Sequence, residues 1–350
     1  MSSMDVGTPR FYCDRINYLL SRGVAQDGNF DAQATNSGNN LVGPEAGYSE
    51  ADLFDMRPLN LVSFDTTADS GDDHVVISID TQSNATNKSF VAILNHNLNS
   101  CTGMVRIRSS NTAGDVEVAD LGSATAVTSI TDIVNGDISS GFVKPDVDGS
   151  TIITWDATNA SSFYRYWGIQ FEGSNSNKFH GSTKLTVGAI LMGEIYDMPN
   201  SPNMAVVRSI SFDGLNTVQQ SEGGQRYSNL RSYGRTASST SKSPFTTSAN
   251  GYQSHGGRII YDLGFSFLSS ANLMPTEYDI IPDDEDTFVG DVWNMTNGNH
   301  LPFIFSVDKD STGADAESET IFARFANSSL DMTQVSHKLW DISLSIEEEF

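Results

Sequence analysis

Positive charge is what this chain of 350 residues has least of: 20 lysines and arginines stand against 44 acids, a net charge of -24. So anionic a surface repels nucleic-acid phosphates and anionic membranes, and neither partner is expected. Cysteine is nearly missing as well. Cys13 and Cys101 are the only two, far apart in sequence, which reads as assembly in a reducing cytosol rather than as a disulfide framework. No run of about 18 apolar residues occurs, so no membrane-spanning helix is expected. Residues 1–25 lack a continuous apolar stretch, with Asp14 and Arg15 in mid-segment, and are not read as a signal peptide.

The chemistry-bearing motifs are also thin. His74, His96, His180, His255, His300 and His337 show no metal-ligand spacing. There is no nucleophile elbow, no phosphate-cradling glycine loop and no cysteine–histidine zinc pattern. No enzyme is expected, although a pair of carboxylates meeting across a cleft, as in glycosidases, stays open at this level.

What the chain does have is period-two patterning. Val75, Ile77 and Ile79 alternate; Phe90–Leu94 is a continuous apolar run ended by the Asn95–Asn97 turn; Val105 and Ile107 oppose Arg106 and Arg108. Trp167, Ile169 and Phe171 alternate again, and Leu185, Val187, Ala189, Leu191 and Ile195 read as one face of a last strand. The pattern returns downstream. Ile259, Tyr261, Leu263, Phe265 and Phe267 share a face, followed by Leu301–Val307, by Ile321–Phe325 and by Trp340, Ile342, Leu344 and Ile346. Such segments build half-buried antiparallel sheets, so the fold class expected is all-β, with two sandwich or barrel domains. Helix is expected only at residues 14–22, where Asp14 caps a stripe of Ile16, Leu19 and Leu20 and Gly23 ends it.

The expected layout is residues 1–58 as helix plus extended arm, 59–200 as a first sandwich and 201–350 as a second, divided at Asn200–Asn203. The order of strands and turns over residues 88–198 resembles a loosely discoidin-like sandwich of tailed-bacteriophage virion proteins. The stretch from Gly256 to Phe350, with Trp293, Pro302, Phe303, Trp340, Asp341 and Glu347 at matching places, is similar to the β-domain of distal-tail-type phage proteins. The resemblance implies a structural component of the virion, in the tail or tail tip, assembled in the host cytoplasm with copies of itself and other virion proteins. It also implies a ring, of six copies at the tail tip, closed by head-to-tail contacts. Two further readings stay open: a capsid decoration protein, and a glycan-binding adhesin using Tyr164, Tyr166 and Tyr252.

Candidate sites follow from composition. Asp308, Asp310, Thr312 and Glu319 have the spacing of a calcium loop, but their strand-like flanks read as a solvated acidic hairpin; calcium is the alternative, and no other cofactor is expected. Asp283–Asp286 reads as solvated acid. Arg226, Arg231 and Arg235, interleaved with Tyr227 and Tyr233, read as an exposed loop or as an interface where arginine pairs with carboxylates. Phe30, Leu41, Leu53 and Phe54 in the polar N-terminal segment read as anchors for a neighbouring copy.

Overall fold

The computed structural model describes residues 6–23, 40–67, 73–82, 88–118, 123–139, 141–156, 164–174, 178–211, 218–228, 258–276, 286–311 and 319–349. The fold is all-β. One sheet of eleven strands runs through the molecule. Its order is Val207–Ser211, Arg258–Ser269, Leu339–Glu348, Thr320–Phe325, Phe303–Ser306, Arg10–Tyr12, Ala189–Asp197, Lys88–His96, Gly149–Asp156 and Ile130–Val134; Met332–Ser336 also pairs with Leu339–Glu348. A second sheet of seven strands orders Asn40–Leu41, Asp73–Asp80, Tyr166–Gly173, Gly103–Ser110, Phe142–Lys144 and Asp137–Ser139, with Thr125–Ala126 beside Gly103–Ser110.

The strand Ala189–Asp197 shows how one sheet serves three cores. Ile190 and Met192 enter the core between the two sheets, with Trp155, Trp167, Ile77 and Phe171. Tyr196, two side chains further along the same face, enters a second core with Phe11, Phe303, Phe305, Tyr261 and Leu344. The opposite face carries Ala189, Leu191 and Ile195 into a third core with Tyr12, Phe90, Ile304 and Phe322. Strict period two along a strand buried on both faces gives this division.

The N-terminal segment is the joint. Arg10–Tyr12 lies between Ala189–Asp197 and Phe303–Ser306, antiparallel to both, with Phe11 opposite Tyr196 and Phe305. Asp14 then caps the helix Arg15–Ser21, accepting from the Ile16 and Asn17 amides, and also accepts from the Met192 amide at 3.0 Å. Gly193 lets the chain cross there, since a Cβ on it would stand 2.1 Å from the Cys13 carbonyl oxygen. Leu53 and Phe54, expected as anchors for a neighbour, are instead buried in this chain's own first core, on a capped 3-10 turn Glu50–Phe54. Leu41 is half-buried on a short strand parallel to Asp73–Asp80, and Phe30 lies outside the described residues.

Four other expectations are corrected. Helix is not confined to residues 14–22: besides Glu50–Phe54, short pieces occur at Ala113–Val116 and Ser270–Leu273, and a π-helix at Val289–Asn294. The alternation from Leu185 to Ile195 breaks at Gly188, where a Cβ would meet the Pro58 carbonyl oxygen at 2.1 Å. Leu185 and Val187 therefore face the first core while Ala189, Leu191 and Ile195 face the third. Arg108 is not on a solvent face but fully buried, donating to the Val116 and Val118 carbonyls. Finally, Phe267 does not point inward.

Candidate functional site

The expected calcium loop is only partly described, and Thr312 lies outside the described residues. Asp308 is half-buried and its carboxylate accepts from the Asp310 amide at 3.1 Å. Asp310 is exposed and pairs with Lys309, whereas Glu319 is buried. Among the described residues no three His, Cys, Asp or Glu side chains form a group able to hold a metal. Of the acidic run Asp283–Asp286, only Asp286 is described, and it is exposed. Tyr164 and Tyr166 are half-buried, the Arg165 guanidinium lying 5.0 Å from the Tyr166 ring centre and clamped on Asp80. Tyr252 lies outside the described residues.

His96 serves the fold. It is buried, its Nδ1 accepts from the Leu98 amide at 3.2 Å, and so its proton sits on Nε2, 2.9 Å from the Thr151 hydroxyl. Thr151 in turn donates to the Asn135 carbonyl. Burial with no anionic partner pushes the imidazole down to about 3.

A second, partly buried polar cluster joins the helix Arg15–Ser21 to the π-helix. Arg15 lies 3.5 Å from Glu194, and Cys13, Glu194, Asp286 and Asp291 line the same small cavity of about 20 Å³. Asp291 accepts from the Thr287 amide at 2.7 Å. Burial, with Glu194 and Asp286 nearby, raises its carboxyl to about 7 against the opposing pull of that amide and of Arg15.

The surface that stands apart is the Val207–Ser211 end of the long sheet. Four of this strand's five residues are exposed, on both faces, which is unusual for a strand inside a folded unit. Val207 and Ile210 are each about half exposed, and Met204 just before them is fully so. The neighbouring strand adds Phe267, 65% exposed with φ +58. A bulge between Phe265 and Leu268 turns Phe267 outward and puts Leu268 into the core in its stead. The adjacent apolar pair Phe267-Leu268 was the only trace of this in the sequence. Arg208 lies over the Tyr261 ring at 5.9 Å, and the hairpin of Val218–Gln220 with Arg226–Ser228 exposes Arg226 and Tyr227. Of the expected basic loop, Arg226 is thus at the surface, while Arg231 and Arg235 lie outside the described residues.

No protein-family model matches this chain, and neither does any curated protein. Among solved structures, the chain is similar to the carbohydrate-binding module CBM32-1 from a family 31 glycoside hydrolase of Clostridium perfringens. The TM-score is 0.28 at 15% identity, over 43% of this chain and 89% of that one. A superposition that loose carries no argument about ligand or function.

Proposed function

We propose that this chain is a structural subunit that works through protein–protein assembly with copies of itself, in the tail or tail tip of a tailed-phage virion. The virion setting rests on the resemblance of its strand and turn order. The assembly role rests on one observation: the Val207–Ser211 end of the long sheet is exposed on both faces, Ile210 on one and Val207 on the other, with Met204 exposed just before it. Exposed apolar side chains beside an open strand are a liability in a monomer and a ready contact in an assembly. Aromatic side chains such as Phe267, exposed on the neighbouring strand, are enriched where proteins meet.

Each copy carries a charge of -24, so copies repel one another at low salt. Screening shortens that repulsion to about 10 Å at 0.1 M salt. Light scattering on the full chain is therefore expected to show oligomers that grow as salt rises from about 0.02 M to 0.5 M. A monomer at every salt and concentration sinks the reading. Immunogold labelling of purified particles tests the setting: label confined to the tail supports it, and unlabelled particles refute it.

A further inference from the structure

The long sheet has two ends, and among the described residues neither Val207–Ser211 nor Ile130–Val134 has a strand on its outer side. Each end strand has five residues. Every one of the nine pairings between them is antiparallel. With ten strands in alternating directions, the first and the last run opposite ways. A neighbour placed head to tail, in the same orientation, therefore brings its Ile130–Val134 antiparallel to Val207–Ser211 and continues the alternation without a fault.

The side chains match in that arrangement. Arg208 and Ile210 share the face of Tyr261 and Ile259, which is the face of the second core. Ile130 and Ile133 pack on the first core, which lies on the same face of the sheet. A bulge in Ile130–Val134 leaves Thr131 as the extra residue against its partner strand. Repeating that bulged register on the outer side sets Ile210 beside Ile130 and Val207 beside Val134. Ser209 then meets Thr131 and Asp132. Cross-strand apolar pairs are a unit of sheet stabilisation.

We propose that copies of this chain assemble head to tail by adding the Val207–Ser211 strand of one copy to the Ile130–Val134 strand of the next, making one continuous sheet. This deepens the assembly reading above and rests on it. It is a heterologous contact, so repetition closes into a ring or runs on as a filament.

The test is a disulfide. Thr131 and Ser209 are both exposed, and the native thiols Cys13 and Cys101 are buried, so they do not compete. In the proposed register the two positions face each other, with Cβ atoms about 5 Å apart, near enough for a disulfide after a small adjustment. The full chain carrying both Thr131→Cys and Ser209→Cys, oxidised under conditions where the wild type assembles, is expected to give a reducible ladder of two, three and more subunits. Each single variant alone is expected to give none, and the two singles mixed to give dimers only. Melting curves matching the wild type check that the variants fold. Dimers from Ser209→Cys alone would mean a two-fold contact and overturn the proposal. Wild-type assembly with no ladder would overturn it while leaving the assembly reading intact, and a wild type that never assembles would remove both.

Discussion

Single side chains in this molecule decide matters that their residue type alone conceals. His96 sits in a polar turn, yet it is buried with both ring nitrogens engaged. Its folded value of about 3 lies below the ordinary 6.5. The neutral form's stabilisation is therefore complete above pH 6.5 and is lost as pH falls toward 3, because only the unfolded chain takes up the proton in that window. At about 1.4 kcal/mol per unit, the loss is about 5 kcal/mol. Urea unfolding of the wild type at pH 7 and pH 4 should show a steep loss that His96→Asn lessens; equal slopes would mean the imidazole is not held neutral. Asp291 has the opposite sign. Its folded value of about 7 lies above 3.8, so burial costs nothing below pH 3.8 and a growing amount up to pH 7. Asp291→Asn, which keeps an acceptor for the Thr287 amide, should raise the melting temperature at pH 8 and leave it unchanged near pH 3.5. The buried Arg108 belongs at this scale as well. Alternation assigned it to the face opposite Ile107 correctly, but nothing local in the sequence announced that the Ala113–Val116 turn would cover that face.

At the scale of elements, alternation was legible wherever a strand keeps one register from end to end. Val75, Ile77 and Ile79, and likewise Trp167, Ile169 and Phe171, face the first core as the pattern requires, and the capped helix begins at Asp14 as expected. Legibility fails where the chain changes register. Gly188 does so because the Pro58 carbonyl passes too close for a side chain, a contact between residues distant in sequence. Phe267 does so through a bulge, which period-two reading cannot see. Both candidate contact strands were missed for a related reason. Val207–Ser211 and Ile130–Val134 are short edge segments with no clean alternation, and their importance comes from position in the sheet. Trp340 illustrates the cost of the bulge. It faces the second core as the alternation implies, but it is only half-buried, at the strand end beside the bulge, with its indole N–H donating to the Ser270 hydroxyl at 2.9 Å. Full burial would make Trp340→Ala cost about 3–5 kcal/mol. With half the ring covered and one hydrogen bond lost, a cost of about 2 kcal/mol is expected from chemical denaturation. A value near zero would contradict the packing.

The whole molecule is governed by a feature the sequence hid most completely. Residues 1–58 read as a helix and an extended arm, outside the two sandwiches. The strand Arg10–Tyr12 instead occupies the middle of the long sheet, hydrogen-bonded to Ala189–Asp197 on one side and Phe303–Ser306 on the other. Phe11 is fully buried, in ring contact with Tyr196, Phe288, Phe303, Phe305 and Phe325, and Tyr12 stacks edge-on against Phe90 in the third core. A strand of three residues carries too little pattern to be recognised alone, and its partners lie nearly 200 and 300 residues away. Because both halves of the sheet close on this strand, they should unfold together. Tryptophan positions make the point measurable: Trp155 and Trp167 lie in the first core, while Trp293 and Trp340 pack against the second. Variants keeping one pair, with the other pair changed to Phe, should report coincident melting transitions. Phe11→Ala should destabilise by about 3–5 kcal/mol and move both transitions together. If Phe11→Ala shifts only the Trp293 and Trp340 signal, the strand belongs to one half alone. The two halves would then be separate folding units, and the continuous sheet that the proposed assembly extends would not act as one body.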